Sequence, residues 1–481
     1  MIQRLYRLLL LFCSIAVFAA CSDSDGNDNN GGNGGEIVPD GGDTYGYVTD
    51  ANGNPVPGVV VSDGFTCTQT DAEGQYVLTR NAESGFVFYS LPSGYKVNMH
   101  KTYKLPKFFT KLKPETARYD FTLTALDAPE TRFDLICIGD PQINEAAHAV
   151  RFKREAAKDI REYSASADIP CYAIHLGDLV NNKWALYSNM VVALQPEQTG
   201  IPVFSTIGNH DHLKTETSDD KAAANFESQF GPRNYSFNRG NAHIVSMDNV
   251  FYVGGSTPSS NYKGGITDQQ LEWLRQDLSH VAKDKLVIFC AHMPFRGGTS
   301  ETDESHMNHA GVLDLLSEFA EAHIMIGHTH YQQKYIHTRN GKKIFEHIHG
   351  AACGAWWTST LCADGTPNGY GVYEISGSTV PNQYYKATNK AADHQIRAYS
   401  AKQVFGTSGS TTFGFAANAS AMNDAKCIVA NVWNSDTGGD WKVSLWQNGA
   451  KVGDMTRIST CDYWAYAYHV LYFSKSVGST W

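Results

Sequence analysis

Five short polar clusters in the middle of this 481-residue chain contain residue types that bind divalent metals. Each cluster places Asp, Asn or His directly after an apolar run; in chain order the clusters are GDPQ, GDLVNN, GNHDH, AHMPF and GHTH. Oxygen and imidazole ligands of this kind suit Mn, Fe or Zn, and the neighbouring glycines let the backbone come close. Two such ions can clamp a phosphoryl oxygen and activate water. The clusters therefore predict metal-assisted hydrolysis.

The runs that precede the clusters are short, apolar and strand-like: FDLICIG, CYAIHLG, VFSTIG, LVIFCA and HIMIG. Helical stretches separate them, among them AVRFKREAAKDIREY, with an apolar stripe at helical spacing, and TDQQLEWLRQDL, with Thr267 and Gln270 in capping-box positions. This alternation predicts a layered α/β domain whose strands are covered on both faces. In such a sheet the ligand site lies at the carboxyl ends of the strands, where all five clusters stand.

The cluster order D-x-(H/Q), GDxxxN, GNHD, H and GHxH resembles the calcineurin-like metallophosphoesterase superfamily, over about Thr131 to Ile375. The resemblance implies an α/β fold with a four-layer β-sandwich flanked by helices. It also implies a binuclear metal centre, whose bridging hydroxide would attack the phosphorus of a phosphate ester. The flanking regions resemble a multidomain, bacterial exported branch with an N-terminal β-sandwich domain and a C-terminal all-β domain.

The resemblance implies a set of metal ligands: Asp140, Gln142, Asp178, Asn209, His292, His328 and His330. Asp140 and His330 would bind the first metal, and Asp178 would bridge both metals. Asn209, His292 and His328 would bind the second. The expected cofactors are two divalent ions, Mn, Fe or Zn.

Two residues of the GNHD cluster are expected to act in catalysis. His210 matches the family histidine that faces the scissile phosphate, so it would stabilise the transition state or protonate the leaving oxygen. Asp211 would orient His210, because an imidazole needs a partner that fixes its tautomer.

Gln142 departs from the commonest family pattern, which has a metal-binding His at this position. An amide oxygen is a weaker and harder donor than imidazole, so it should lower the affinity of the first metal and favour Mn or Fe over Zn. Two interpretations stay open: Gln142 is a variant ligand, or it supports a ligand. Trp356 and Trp357 lie close to the motifs and either shape the substrate pocket or pack between domains.

The chain divides into five predicted segments: a lipoprotein signal peptide at 1–21, a flexible Gly/Asn/Asp tether at 22–43, the N-terminal β-sandwich at 44–128, the catalytic domain at 129–365 and the C-terminal β domain at 366–481. FAAC resembles a lipobox, in which Cys21 would carry the lipid; an ordinary secretory signal is the alternative. The acidic stretch after Cys21 resembles a surface-export signal. We expect an exported lipoprotein of the outer membrane that faces the periplasm or the cell surface.

The N-terminal sandwich resembles the carboxypeptidase-regulatory-like family through GNPVPGVVV and TDAEGQY. Of ten cysteines, Cys353, Cys362, Cys427 and Cys461 could form disulfides in an oxidising compartment, with connectivity left open.

The formal net charge of −10 argues against a nucleic-acid surface, so the expected partners are a phosphate-ester substrate and a membrane reached through the lipid on Cys21. The predicted enzyme is a phosphomonoesterase or a phosphodiesterase; the sequence leaves this choice open because both share the metal ligands. A nucleotide pyrophosphatase is one alternative. A surface ligand-binding protein with a degenerate phosphoesterase domain is another, and the nearly complete ligand set favours the enzyme over it.

Overall fold

The computed structural model describes residues 38–252, 262–295, 307–400, 428–436, 441–458, 462–466 and 468–469. The predicted signal peptide and most of the predicted tether lie outside these residues, as do Cys427 and Cys461. Within the described part of the chain, no helix is long and apolar enough to cross a membrane.

The N-terminal region forms two small sheets from seven strands: β1 Thr44–Asp50, β2 Val60–Ser62, β3 Cys67–Gln69, β4 Gln75–Leu78, β5 Phe86–Tyr89, β6 Phe109–Lys111 and β7 Phe121–Leu123. One sheet has the order β4-β1-β7 and the other β3-β2-β5-β6. Val48, Val61, Val87 and Leu123 are buried in the core of this region. Alternation of apolar and polar residues between turn clusters thus produces the predicted sandwich.

The described residues of the central region form thirteen strands: β8 Arg132–Ile138, β9 Cys171–Leu176, β10 Val203–Thr206, β11 Tyr235–Arg239, β12 Ala242–Ser246, β13 Val250–Tyr252, β14 Tyr262–Gly264, β15 Leu286–Cys290, β16 Glu321–Ile326, β17 Gln333–Arg339, β18 Lys342–Ile348, β19 Gly369–Ser376 and β20 Thr379–Ala387. One sheet has the order β10-β9-β8-β19-β20, and the second has β11-β12-β15-β16-β18-β17. The five strands that precede the polar clusters lie in parallel registers within these sheets.

Helices cover the outer faces of the sheets: α1 Ala146–Phe152, a π-helical turn Lys153–Ala157, α2 Lys158–Ser166, a 3-10 turn Trp184–Leu186, α3 Tyr187–Ala193, α4 Pro196–Thr199, α5 Asp219–Phe230, α6 Asp268–Ser279 and α7 His309–Leu316. The predicted capping box begins α6: the Thr267 side chain accepts from the Gln270 backbone, and the Gln270 side chain accepts from the Thr267 backbone. Both helical segments read from the sequence are therefore confirmed.

Strand β8 shows how the layers are built, because its side chains alternate between two cores. Leu135 and Cys137 belong to the core shared with the second sheet, whereas Ile136 and Ile138 pack with Phe152 of α1. All four side chains on β8 are fully buried. The mixed α/β fold predicted from the sequence, helices outside and two sheets inside, is confirmed.

In the part of the C-terminal region that the structure describes, there are two antiparallel strand pairs and a short helix: β21 Ile396–Ser400 with β22 Ile428–Val432, β23 Ser444–Gln447 with β24 Ala450–Asp454, and α8 Tyr463–Tyr466. Strands β19 and β20 lie beyond the predicted boundary at residue 365. Strand β19 pairs with both β8 and β20 in antiparallel register, so the first central sheet extends to Ala387. The segment GYGVYEI, which the sequence placed in the closing β domain, forms strand β19 of this sheet.

Candidate metal centre

The five polar clusters meet at the carboxyl ends of parallel strands, as the sequence predicted. Each cluster begins within two residues of the end of its strand: β8, β9 and β10 in one sheet, and β15 and β16 in the other. The predicted ligands are buried there except His328, which is half-buried. The fold therefore brings together side chains that lie up to about two hundred residues apart in sequence.

Three of the predicted ligands converge on one point. Asn209 Oδ1 lies 2.9 Å from His292 Nε2 and 3.0 Å from His328 Nδ1, and the two ring nitrogens are 3.2 Å apart. His292 Nδ1 can donate to Leu176 O over 2.7 Å, so Nε2 is the atom that would bind a metal once the ring has lost its second proton. These are the residues that the resemblance assigned to the second metal.

The carboxylates of Asp140 and Asp178 stand beside this group. Ligand atoms of Asp140, Asp178 and His292 all lie within 4.8 Å of one another. Asp178 Oδ1 is 3.4 Å from His292 Nε2, and Asp140 Oδ1 is 3.5 Å from His330 Nε2. Asp178 thus lies close to both Asp140 and His292, which the resemblance assigned to different metals.

Gln142 contacts the central carboxylate directly. Its Nε2 donates to Asp178 Oδ2 over 3.0 Å. Its Oε1 is buried and has no hydrogen-bond partner among the described residues. A buried carbonyl oxygen without a donor is unfavourable, and a cation next to it would remove that cost. The hydrogen bond to Asp178 supports a role in holding a ligand, and the unpartnered Oε1 supports a role as a ligand.

The backbone is strained at most of these ligands. Positive φ angles occur at five of them: Asp140 (38°), Gln142 (35°), Asp178 (52°), His328 (72°) and His330 (64°). Residues with a side chain seldom adopt this region, and strain of this kind clusters at functional sites. Local propensity alone would not produce such turns, so the surrounding packing must impose them.

Two glycines make the close approach of the clusters possible. A Cβ on Gly177 would lie 2.4 Å from His292 Nδ1, and one on Gly208 would lie 2.3 Å from Asp178 Oδ1. Gly177 also has a φ of 91°, a conformation that glycine adopts without penalty. Any side chain at either position would push a ligand out of place.

Charge in the cluster is balanced by protons. Burial opposes ionisation of Asp178, but His292 and His210 hold its pKa well below the usual value. Burial also favours neutral His292, yet Asp178 and Asp140 raise its pKa to about 9. The pKa of His328 shifts in the other direction, because burial and the neighbouring His292 lower it to about 4. In the absence of metal, protonated His292 supplies the positive charge next to Asp178. A divalent cation would supply that charge instead, so this set of side chains fits a metal.

His210 lies at the edge of the centre, with a side chain that is 27% exposed. Its backbone N–H donates to Asp178 Oδ1 over 2.8 Å, and its Nε2 is 4.0 Å from Asp178 Oδ2. Burial lowers the pKa of His210, although Asp178 opposes the shift. His210 thus lies beside Asp178 and is partly open to solvent.

Asp211 does not orient His210 by a hydrogen bond, contrary to the role expected from sequence. Its carboxylate accepts from the backbone N–H of Gly208 (2.9 Å) and of Leu179 (3.1 Å), and from the Tyr187 hydroxyl (3.2 Å). His210 Nδ1 is buried without a hydrogen-bond partner in the described part of the chain. The Asp211 side chain turns away from its neighbour because the loop amides after β9 and β10 need an acceptor. Asp211 joins the loops that carry Asp178 and Asn209.

Asn249 is a supporting residue that the sequence reading missed. Its Oδ1 accepts from the backbone N–H of His292 (3.0 Å) and Met293 (2.9 Å), and its Nδ2 donates to Met293 O (2.7 Å). Asn249 follows β12, a strand without one of the five clusters. The signal in the sequence was the polar pair Asp248–Asn249, separated by one residue from the end of β12.

A second group with possible ligand atoms contains His212, Asp219 and Asp248. The Arg233 guanidinium donates to Asp219 (3.0 Å) and to Asp248 (3.2 Å), and His212 Nε2 lies 3.2 Å from Asp248. Arg233 therefore supplies the positive charge that these carboxylates require. This group is an internal ion-pair network.

Comparison with solved structures gives distant similarity over about half of each chain. A purple acid phosphatase, PPD1, from yellow lupin (Lupinus luteus) seeds shares 15% identity and a TM-score of 0.39, over 56% of this chain and 54% of that one. A 5'-nucleotidase precursor from Thermus thermophilus shares 10% identity and a TM-score of 0.32, over 53% of this chain and 54% of that one. No curated protein matches the chain.

Family models match three consecutive parts of the chain. Residues 133–332 match calcineurin-like phosphoesterase, residues 43–126 match the N terminal of calcineurin-like phosphoesterase, and residues 346–476 match its C terminal. The first match contains every predicted metal ligand and both predicted catalytic residues. The chain therefore belongs to the calcineurin-like phosphoesterases.

Proposed function

We propose that this protein hydrolyses phosphate esters with two divalent ions held by the clustered ligands. The convergence of Asn209 Oδ1, His292 Nε2 and His328 Nδ1 within 3.2 Å of one another carries the proposal. Three potential ligand atoms meet at one buried point with two carboxylates beside them, and burial of so many polar groups together is costly unless they bind a cation. The strained backbone at the ligands supports the same conclusion.

The ligands divide into two sets that share one residue. Asp140, Gln142 and His330 would hold the first ion, and Asp178 would contribute to both. The second ion would be held by Asn209, His292 and His328. The chemistry that such ions supply is Lewis-acid polarisation of a phosphoryl oxygen and activation of water near neutral pH.

His210 would hold a proton beside the bound phosphate and donate it to the leaving oxygen. Its partial exposure gives a substrate access to the ring, and its backbone bond to Asp178 fixes the loop relative to the ligands. Burial lowers the pKa of His210, so the proton would be held only when the negative charge of a bound phosphate opposes that shift. Once protonated, such a ring is a stronger acid than an unperturbed imidazolium. This role requires no hydrogen bond from Asp211.

The test is reconstitution of the purified mature protein after removal of metal with a chelator. Mn, Fe or Zn is added back separately, and release of nitrophenol is measured from p-nitrophenyl phosphate, bis-p-nitrophenyl phosphate and p-nitrophenyl thymidine 5'-phosphate. Metal-dependent release from the first compound supports a monoesterase, and from the second a diesterase. Preference for the third would favour a nucleotide-directed enzyme such as a pyrophosphatase.

Failure to release nitrophenol has two distinguishable meanings. If the reconstituted protein contains two metal ions but hydrolyses none of the three compounds, general phosphoesterase activity is refuted. If it retains no metal, the domain is degenerate and the ligand-binding alternative replaces the enzyme. Asp178→Asn protein serves as the background control in each assay, because it lacks the central carboxylate.

We also propose that the chain is exported and anchored through a lipid on Cys21. The support is the basic and apolar signal followed by FAAC and a polar tether. Mass spectrometry of the N-terminal peptide should show a diacyl modification on Cys21, and Cys21→Ser should release the protein from the membrane fraction. An unmodified N-terminus cleaved near the same position would instead establish the ordinary secretory signal.

A further inference from the structure

Two consecutive tryptophans beside the metal centre occupy a strained backbone. Trp356 has a φ of 46° and Trp357 a φ of 64°, a region that bulky residues almost never adopt. Such a conformation is unfavourable at each residue, so the turn persists only where other contacts impose it. The two side chains have opposite environments, since Trp357 is 5% exposed and Trp356 is 57% exposed.

Trp357 has a structural role that accounts for its position. Its Nε1 donates to Pro141 O over 2.9 Å, and its ring lies 5.5 Å from the His148 ring and 5.1 Å from the Arg151 guanidinium. The same turn is bonded to the strand end before Asp140 through Ala352 N and Gly139 O, 2.7 Å apart. Trp357 therefore ties this turn to the loop that carries Asp140 and Gln142.

Packing does not account for Trp356. Its ring lies 4.9 Å from the ring of His330, a predicted metal ligand, at an interplanar angle of 40°. More than half of the side chain remains exposed at the edge of the centre. The chain thus has tryptophan, the largest side chain, at a φ angle that glycine adopts without strain. That side chain is exposed beside a predicted metal ligand.

We propose that Trp356 is a substrate-binding residue that stacks against an aromatic ring in the leaving group of the phosphate ester. The inference rests on the proposed function, because the phosphoryl group must be held at the metal ligands. A ring joined to that group directly, as in an aryl phosphate, or through a sugar, as in a nucleotide, can then reach the face of Trp356. Stacked aromatic pairs gain more free energy than their buried area alone provides.

Tyr262 extends this aromatic border. Its ring lies 6.4 Å from the His328 ring, at 87°. The two histidines of the GHTH cluster therefore each carry an aromatic neighbour, Tyr262 at His328 and Trp356 at His330. Such a border favours flat, apolar leaving groups over short, hydrated alkyl groups.

The experiment compares Trp356→Ala, Trp356→Phe and Trp356→Gly with wild-type protein loaded with Mn. The matched control is Trp446→Ala, because Trp446 is 60% exposed on β23 of the C-terminal hairpin. The values of kcat and KM are measured with phenyl phosphate, adenosine 5'-monophosphate and glycerol 2-phosphate. Because each variant is compared with wild type on the same substrate, differences in leaving-group acidity cancel.

We expect Trp356→Ala to lower kcat/KM by roughly three- to tenfold for at least one aromatic substrate, mainly through KM, with glycerol 2-phosphate changed less than about twofold. Loss on phenyl phosphate alone identifies an aryl group as the ligand, and loss on the nucleotide alone identifies a nucleobase. Trp356→Phe should keep most of the preference, and Trp446→Ala should change nothing. Equal losses on all three substrates, or no loss on any, would overturn the proposal.

Two further readouts separate this inference from a structural role and from the proposed function. Trp356→Gly should leave the melting temperature unchanged or higher because it relieves the positive φ, whereas a clear drop would show that the ring is needed for packing. Calorimetry should show tighter binding of phenylphosphonate than of methylphosphonate to wild-type protein, and no such preference in Trp356→Ala. If that preference exists in a protein that hydrolyses no ester, the proposed function fails and the stacking site stands. If Trp356→Ala keeps the preference, the stacking site is refuted.

Discussion

Replacement of Gln142 by Leu gives the sharpest test of how the centre is built. The side chain is 3% exposed and combines a hydrogen bond to Asp178 with a buried, unpartnered Oε1. In metal-free protein, loss of the hydrogen bond to the Asp178 carboxylate should lower the free energy of unfolding by about 1.5–3 kcal/mol. Removal of the buried oxygen that has no partner should raise it by about 1–3 kcal/mol. The two terms nearly cancel, so the free energy of unfolding without metal should change by about 1 kcal/mol or less.

The result with metal should be different. If Oε1 is a ligand, its loss should weaken the affinity of one ion by about ten- to a hundredfold, the range known for groups that support metal ligands. At saturating metal this corresponds to about 1.4–2.8 kcal/mol less stabilisation by the ion. Gln142→His should change affinity in the opposite direction, because imidazole is the better donor for these metals.

The assay combines calorimetric titration of metal-free protein with Mn or Zn and urea unfolding with and without saturating metal. Weaker binding in Gln142→Leu together with tighter binding in Gln142→His identifies Gln142 as a ligand. Unchanged metal affinity in both variants, with lower stability of the metal-free Leu variant, would refute the reasoning. Gln142 would then be only a hydrogen-bond donor to Asp178.

Asp178→Asn should abolish metal retention and hydrolysis together, because Asp178 lies between both ligand sets; two ions retained after dialysis would exclude a bridging role. His210→Ala should retain both ions and lower kcat by about a hundredfold or more, so wild-type turnover would remove His210 from the mechanism. Burial, with His292 adding to it, lowers the pKa of fully buried His175 to about 3, below the ordinary value near 6.5. This shift stabilises the folded protein fully above about pH 6.5, and the stabilisation is lost as the pH falls toward 3. The free energy of unfolding of wild-type metal-free protein should therefore fall by about 2 kcal/mol more than that of His175→Leu between pH 7.5 and pH 5. Equal losses in urea unfolding of the two proteins would contradict this assignment.

Several features of the fold were readable from sequence because they are local. An apolar run followed by Gly and a polar residue predicts a buried strand and a turn, and this held for all five clusters. The capping box at Thr267 is equally local, since the two residues that form it are three positions apart. Parallel strands end at one edge of a sheet, so the meeting of the clusters also followed from the pattern.

Other features depend on partners that are distant in sequence. Gly369–Ser376 has the pattern of any β-strand, and only its pairing with β8 assigns it to the central sheet. Asp211 stands next to His210 in the chain, yet its carboxylate accepts from amides of the loops after β9 and β10, which sequence adjacency does not reveal.

The sequence by itself determined the kind of centre, because ligand chemistry resides in residue types and their positions after strands. The tertiary structure decided how the ligands are held: the strained turns, the bond from Gln142 to Asp178 and the support from Asn249. It also separated Trp356 from Trp357, two identical neighbours of which one is buried as an anchor and the other is exposed beside His330. The burial of a side chain depends on all the residues packed around it, and two residues adjacent in the chain have different neighbours in space.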